Sequence, residues 1–259
     1  MAPRDLLDMT GRVALVTGAG TGLGARFCMA LAEHGADVVA VARRAEKVEN
    51  VADAIRKAGG KAIAVSGDVT DTASIKAAFD AAEKAFGTVD AVVANAGIAE
   101  AGRAAEISDD AWRRTMATNL DGVFYTAREA AQRLLKAGKH GSIVNIASIL
   151  GYGVGKGNAS YATSKAAVIQ LTQALALEWA FKGIRVNAIA PGYVVTDINR
   201  DYLTSGKGAE MTRDIPVGRF GREHELDGAL LLLLSEAGAF MTGTTITVDG
   251  GQRIGLRGS

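Results

Sequence analysis

A chain of 259 residues with 48% apolar and 22% charged side chains can bury a sizeable core, as one large α/β domain or as two smaller ones. The formal charge of +1 leaves no electrostatic case for nucleic acid or an anionic membrane surface, and the longest apolar run, around Ala229 to Leu234, is far too short to span a bilayer. Cys28 is the single cysteine, which excludes an internal disulfide. With no signal-peptide pattern at the N-terminus, the expected location is a reducing compartment, the cytoplasm.

In chain order, Arg12 to Thr17 reads as a buried strand that runs into the turn Gly18 to Gly24, with a helix over Ala25 to Glu33. Gly35 ends that helix. A second strand, Asp37 to Ala42, precedes a charged helix over Ala45 to Lys57 and the breaker Gly59-Gly60. Strand Ala62 to Val65, helix Thr72 to Phe86, strand Ala91 to Ala94 and a long helix from about Ser108 to Lys136 continue the alternation. The second half adds strand Ser142 to Ile146, helix Ala159 to Phe181, strand Arg185 to Ile189, helix Glu223 to Leu234 and strand Thr245 to Val248. Strands that alternate with helices predict parallel β-α-β units, and no linker or low-complexity segment marks a boundary inside residues 1–259. The stretch from Gly192 to Arg222 is too long for an ordinary connection and is expected to be a lid or binding segment.

The chemistry-bearing residues fall on this frame. Glycines at 18, 20, 22 and 24 stand between the first strand and the first helix, where backbone amides can approach a pyrophosphate at a helix N-terminus. Where a carboxylate would hold the ribose of NAD, the second strand ends in Ala42-Arg43-Arg44, and the Arg43 guanidinium suits a 2′-phosphate. NADP(H) is therefore expected, with NAD(H) left open. Asp68 follows the third strand, placed to accept from an adenine amino group or to cap the helix before Ala73. Asn95-Ala96-Gly97 follows the fourth strand, where Asn95 is expected to brace neighbouring strands. Asn119 sits inside a helix that disfavours it, as a polar kink or as a member of a proton relay. Ser148 lies thirteen residues before Tyr161, within reach of a returning loop. Tyr161 and Lys165 are four apart on one helix face, where a lysine charge lowers a phenol's pKa toward working range. His34, His140 and His224 show no metal-ligand spacing, and Ser148 is not in a Gly-x-Ser-x-Gly elbow, which argues against a hydrolase.

Taken together these residues resemble the short-chain dehydrogenases/reductases over almost the whole chain. The cofactor turn is present as Thr17-Gly18-Ala19-Gly20-Thr21-Gly22-Leu23-Gly24. The Asn-Asn-Ala-Gly motif is present as Ala94-Asn95-Ala96-Gly97, with alanine in first place. The last strand and turn match Thr247-Val248-Asp249-Gly250-Gly251. The resemblance implies a doubly wound Rossmann-type α/β fold, a seven-stranded parallel sheet of order 3-2-1-4-5-6-7 in a single domain. It implies a catalytic tetrad of Asn119, Ser148, Tyr161 and Lys165, and a cofactor site that takes in Gly18, Thr21, Gly22, Leu23, Gly24, Arg43, Asp68, Val69, Asn95, Ala96, Gly97, Pro191, Gly192, Val194 and Thr196. Lys165 would also hydrogen-bond the nicotinamide ribose. A homotetramer is implied, with the helices of Asn119 and Tyr161 at one interface. The segments Thr196 to Asn199 and Pro216 to Gly221 look most like gluconate 5-dehydrogenases and 3-oxoacyl-carrier-protein reductases.

The expected reaction is hydride exchange between NADP(H) and a ketone or secondary alcohol. The expected pocket is Ile98, Leu150, Tyr152, Tyr193, Tyr202, Leu203 and Met211, a mostly apolar lining for a medium-sized carbonyl compound. Rival readings are a dinucleotide-binding regulator without redox chemistry, and an enzyme such as an epimerase that uses the nucleotide transiently.

Overall fold

Every residue of the strand Val13–Thr17 is buried, because helices cover both of its faces. The computed structural model describes residues 5–196, 199–203 and 206–254. Its main sheet contains β1 (Val13–Thr17), β2 (Asp37–Ala42), β3 (Ala62–Ser66), β4 (Ala91–Ala94), β5 (Gly141–Ile146), β6 (Ile184–Pro191) and, last in the chain, β9 (Thr245–Val248). These seven strands pair in parallel in the order β3-β2-β1-β4-β5-β6-β9, which is the expected order with β9 as the seventh strand.

Side chains alternate between two apolar layers. Ala14 and Val16 face a layer built with α1 (Gly22–Glu33), α2 (Ala45–Lys57) and α9 (Asp227–Leu234), with Phe27, Ile55 and Leu230 at its centre. Val13 and Leu15 face the opposite layer, with Phe79 of α3 (Thr72–Phe86), Leu134 of α5 (Gly122–Ala137) and Leu175 of α6 (Ala159–Trp179). Cys28, on α1, is fully buried in the first layer, and burial pushes its thiol pKa far up.

The bounds of β2, α2, α3, β4 and β9 coincide with those expected from the pattern. The long helix does not run unbroken. It divides into α4 (Asp109–Met116), a π-helical turn over Ala117–Asp121 that contains Asn119, and α5. The stretch 192–222 has elements of its own: β7 (Val194–Val195), α7 (Arg200–Leu203), α8 (Gly206–Met211) and β8 (Gly221–Arg222). β7 and β8 pair in parallel, which ties the two ends of the segment together. Helix α3 is capped by Asp71, whose carboxylate accepts from Ala73 N at 2.9 Å, so the capping role considered for Asp68 belongs to Asp71. Among the described residues no helix is long and apolar enough to cross a membrane.

Strand order reverses about β1. β2 lies on one side of it and β4 on the other, and their carboxyl ends open the crevice where an open α/β sheet takes its ligand.

Candidate active site

The turn after β1 is clipped to the turn after β4. Thr17 Oγ1 accepts from Asn95 N at 3.1 Å and Ala96 N at 3.2 Å, and Asn95 Nδ2 donates to Thr17 O at 3.0 Å and Gly18 O at 3.3 Å. Asn95 is thus the expected brace, and Thr17 is a second one whose only sequence signal was its place before the glycines. Gly18 has φ of 67°, and a Cβ there would stand 2.8 Å from Ala96 Cα. A Cβ on Gly24 would meet the Gly18 carbonyl and come within 2.6 Å of Asn95 Nδ2. Glycine at these two positions lets the two turns touch.

The helix that follows has an open positive end. Thr21 is the N-cap of α1 but makes no side-chain capping bond, and no acid stands in the first turn. First-turn amides without an internal acceptor and a favourable macrodipole suit a phosphate. Gly22 faces the Thr196 side chain, so the β7 segment covers this end. These residues fit the pyrophosphate of a dinucleotide. Arg43 is exposed at the end of β2 and has no ion-pair partner among the described residues. The Asp68 carboxylate accepts from Thr70 N and Thr70 Oγ1 at 2.9 and 2.8 Å, while its main-chain N–H donates to Ser74 Oγ. Val69 packs against Gly122, where a Cβ would come 2.7 Å from Val69 Cγ2.

Of the four residues of the expected tetrad, Ser148, Tyr161 and Lys165 come to one place, and Asn119 is buried behind them. Helix α6 carries both Tyr161 and Lys165, with Lys165 Nζ 5.7 Å from the Tyr161 ring centroid. Lys165 is buried and donates to the Ile146 carbonyl at 2.7 Å, and loss of solvation lowers its pKa to about 8. Burial pushes the Tyr161 phenol up, a hydrogen bond with Ser148 pulls it down, and burial wins. A lowered tyrosine pKa is therefore not what this arrangement gives by itself. The Lys165 ammonium is directed at the Ile146 carbonyl. Ser148 Oγ also accepts from Leu150 N at 3.1 Å, which fixes it at the start of a 3-10 turn.

Asn119 is fully buried and its amide is spent. Oδ1 accepts from Ile98 N at 2.8 Å, and Nδ2 donates to Ile98 O at 2.9 Å and Ser164 Oγ at 3.1 Å. Ser164 in turn donates to the Tyr161 carbonyl at 2.7 Å, so Asn119 braces α6 from behind the tyrosine. Gly97 leaves open the space between Asn119 and Lys165, since a Cβ there would lie 3.4 Å from Asn119 Oδ1 and 3.6 Å from Lys165 Nζ.

A cavity of about 460 Å³ joins these groups. Its lining includes Leu23, Asn95, Gly97, Ile98, Ser148, Leu150, Tyr161, Lys165, Pro191, Gly192, Tyr193, Val194 and Thr196, all of them expected. Ala99, Ile146, Ala147, Ile149, Asn158 and Asn199 also line it and were not expected. Asn158, the N-cap of α6 three residues before Tyr161, was the one with a readable signal. Asn199 staples the covering segment, accepting from Thr196 N at 2.7 Å and donating to Val194 O at 2.9 Å. Three expected lining residues stand elsewhere. Tyr152 is turned outward beneath the Arg253 guanidinium, Leu203 is buried toward a separate cleft with Arg26 and Arg222, and Met211 is outside the cavity. The Tyr202 side chain lies outside the described residues. No Asp or Glu is among the lining residues, and no cluster of metal-ligating side chains occurs among the described residues.

Comparison with known proteins agrees with this fold. The family model described as Enoyl-(Acyl carrier protein) reductase matches residues 18–253. A cis-4-hydroxycyclohexanecarboxylate dehydrogenase of Sinomonas cyclohexanicum is 44% identical over 93% of this chain and 96% of its own. A solved gluconate 5-dehydrogenase of Burkholderia cenocepacia, in complex with NADP and tartrate, has a TM-score of 0.92 at 37% identity, covering 97% and 99% of the two chains. A solved structure described as a 2-deoxy-d-gluconate 3-dehydrogenase of Agrobacterium tumefaciens, with bound NADP, has a TM-score of 0.89 at 39% identity, covering 96% and 99%. The glycine turn, the sheet order and these matches place one conclusion beyond the motifs themselves: the chain belongs to the short-chain dehydrogenase/reductase family of oxidoreductases.

Proposed function

We propose that this chain is an NADP(H)-dependent oxidoreductase that interconverts a ketone and a secondary alcohol, working as one nucleotide-binding domain with 192–222 as its substrate lid. The observation that carries this reading is the meeting of Tyr161, Ser148 and Lys165 in one cavity that continues to the uncapped end of α1. Arg43, without an ion-pair partner among the described residues, favours the 2′-phosphate, and NADP in two solved relatives supports the same choice.

A bound nicotinamide supplies or accepts the hydride. Tyr161 gives its hydroxyl proton to the carbonyl oxygen in reduction and takes it back in oxidation. Ser148, hydrogen-bonded to Tyr161, donates to the same oxygen and stabilises charge that develops there. Lys165 supplies the positive charge that a phenolate needs, an effect that grows as water is shut out of the cavity. Asn119 positions rather than reacts, and the space over Gly97 is the proposed place for a water that reconnects Lys165 to solvent. The apolar walls from Ile98, Ile149 and Leu150 suit a medium-sized, partly hydrophobic carbonyl compound.

We also propose that copies assemble into a homotetramer through the outer face of α6. Ala159, Thr163, Ala166, Gln170, Ala174 and Leu177 are exposed there at helical spacing, and Leu177 is 84% exposed.

The direct test is oxidation of NADPH and NADH over a ketone panel by wild type and Tyr161→Phe. We expect kcat to fall by about 10²-fold or more in the variant. Equal activity would remove Tyr161 from the mechanism.

A further inference from the structure

Resting on the reading that Tyr161 works on a carbonyl in this cavity, we propose that Arg253 selects the substrate by binding a carboxylate on the side of the molecule away from that carbonyl.

Two parts of the cavity lining lead toward this residue. One is Ser148 to Leu150, with Tyr152 two residues further on and outside the lining, and the other is Pro191-Gly192. Gly192 lies against the C-terminal turn, where a Cβ would stand 2.7 Å from Asp249 Cβ and 3.3 Å from Gln252 Oε1. The next residue, Arg253, places its guanidinium carbon 4.3 Å from the centroid of the Tyr152 ring. The C-terminal turn thus packs against Gly192 and sets a cation over Tyr152, beyond the lining residues. Gln252 Oε1 is buried beside Gly192 without a hydrogen-bond partner, a polar atom that a bound molecule can satisfy.

The turn holds the arginine in place. Asp249 accepts from Gly251 N at 2.9 Å and from Arg253 N at 2.7 Å, Ile254 N donates to Gly251 O at 3.1 Å, and Val217 N donates to Gly250 O at 3.2 Å. The guanidinium carbon lies over the Tyr152 ring, and no hydrogen bond from the Arg253 side chain is present among the described residues, so its N–H groups can take a ligand. Arg253 has no ion-pair partner among the described residues, and the Asp249 carboxylate is occupied by main-chain N–H groups. Lys156, exposed on the loop that follows Tyr152, also has no acidic partner among the described residues. No Asp or Glu is among the cavity-lining residues, and the carboxylate in the same turn as Arg253, Asp249, is hydrogen-bonded to main-chain N–H groups. A planar fork held on an aromatic ring matches a carboxylate with two parallel hydrogen bonds. The apolar walls favour that monoanion over a more strongly hydrated phosphate dianion.

Two measurements on the NADPH-loaded protein test the assignment. In calorimetry, cyclohexanecarboxylate is expected to bind wild type about tenfold tighter than cyclohexanecarboxamide, and that preference is expected to vanish in Arg253→Gln, with Arg253→Lys between the two. In turnover, the ratio of kcat/KM for 4-oxocyclohexanecarboxylate to that for its methyl ester is expected to fall about tenfold in Arg253→Gln and to reverse in Arg253→Glu. No preference for the carboxylate in wild type, or the same preference in all variants, overturns the proposal. Arg253-dependent binding without turnover of either ketone supports Arg253 and sinks the redox reading. Turnover of both ketones with no dependence on Arg253 does the reverse.

Discussion

At neutral pH the Lys165 ammonium is held against the Ile146 carbonyl beside the Tyr161 ring, with almost no solvent around it. Burial has lowered its pKa from 10.5 to about 8. The unfolded chain therefore binds the lysine proton more tightly than the folded one, so stability rises with pH between about 8 and 10.5 and is unaffected by this group below that window. Wild type is expected to gain up to about 3 kcal/mol relative to Lys165→Met over that range, read from denaturation midpoints at each pH. A constant difference would mean that Lys165 is not desolvated. The sequence allowed Tyr161 and Lys165 to be paired, because four-residue spacing on a helix is a local property. It gave no warning that the lysine would find a carbonyl of β5, nineteen residues away, or that the Asn119 amide would be spent on the backbone of Ile98.

Among the elements, α1 and its entry turn carry a tight steric constraint. A methyl group on Gly24 would run into the Gly18 carbonyl and the Asn95 amide, which together join β1 to β4. Gly24→Ala is expected to lose about 1–3 kcal/mol in urea unfolding and to weaken NADPH binding, because the amides of the turn must move apart. Normal stability and normal affinity in that variant would show that the two turns can part without cost. Strands and helices with a clear period were legible to the residue, as β2, α2 and α3 show. The π turn at Ala117–Asp121 was not, since one extra residue per turn hardly alters an apolar period across thirty residues. Its neighbour Gly122, pressed on Val69 from a distant part of the chain, reflects packing that no local pattern encodes. The same applies to β7 and β8, which are two residues each and pair residues twenty-seven positions apart, Val194 with Gly221 and Val195 with Arg222.

For the whole molecule, the outer face of α6 and the following turn determine what the chain does in company. Leu177, near the end of that helix, is 84% exposed, and Phe181, in the turn that follows, 79%. Leu177→Asp is expected to lower the mass seen by light scattering from that of a tetramer to a dimer or monomer. A mass unchanged from wild type would move the interface to another face. The β-α-β alternation and the sheet order were readable at this scale because each parallel crossover needs its helix. The position of Arg253 over Tyr152 was not, because contact between residues about a hundred positions apart depends on how the C-terminal turn packs against Gly192.

Cys28 lies at the centre of one apolar layer, with no exposed surface and with its thiolate strongly disfavoured. Alkylating reagents attack thiolates that they can reach, so the folded protein should be silent to them while each unfolded molecule offers one reactive group. The chain thus carries its own counter of global opening: the rate of modification in a brief pulse reports how often the α1 layer comes apart. It also leaves a blank background on which one cysteine placed at exposed Val154, in the loop between Tyr152 and Lys156, would carry a probe of substrate entry.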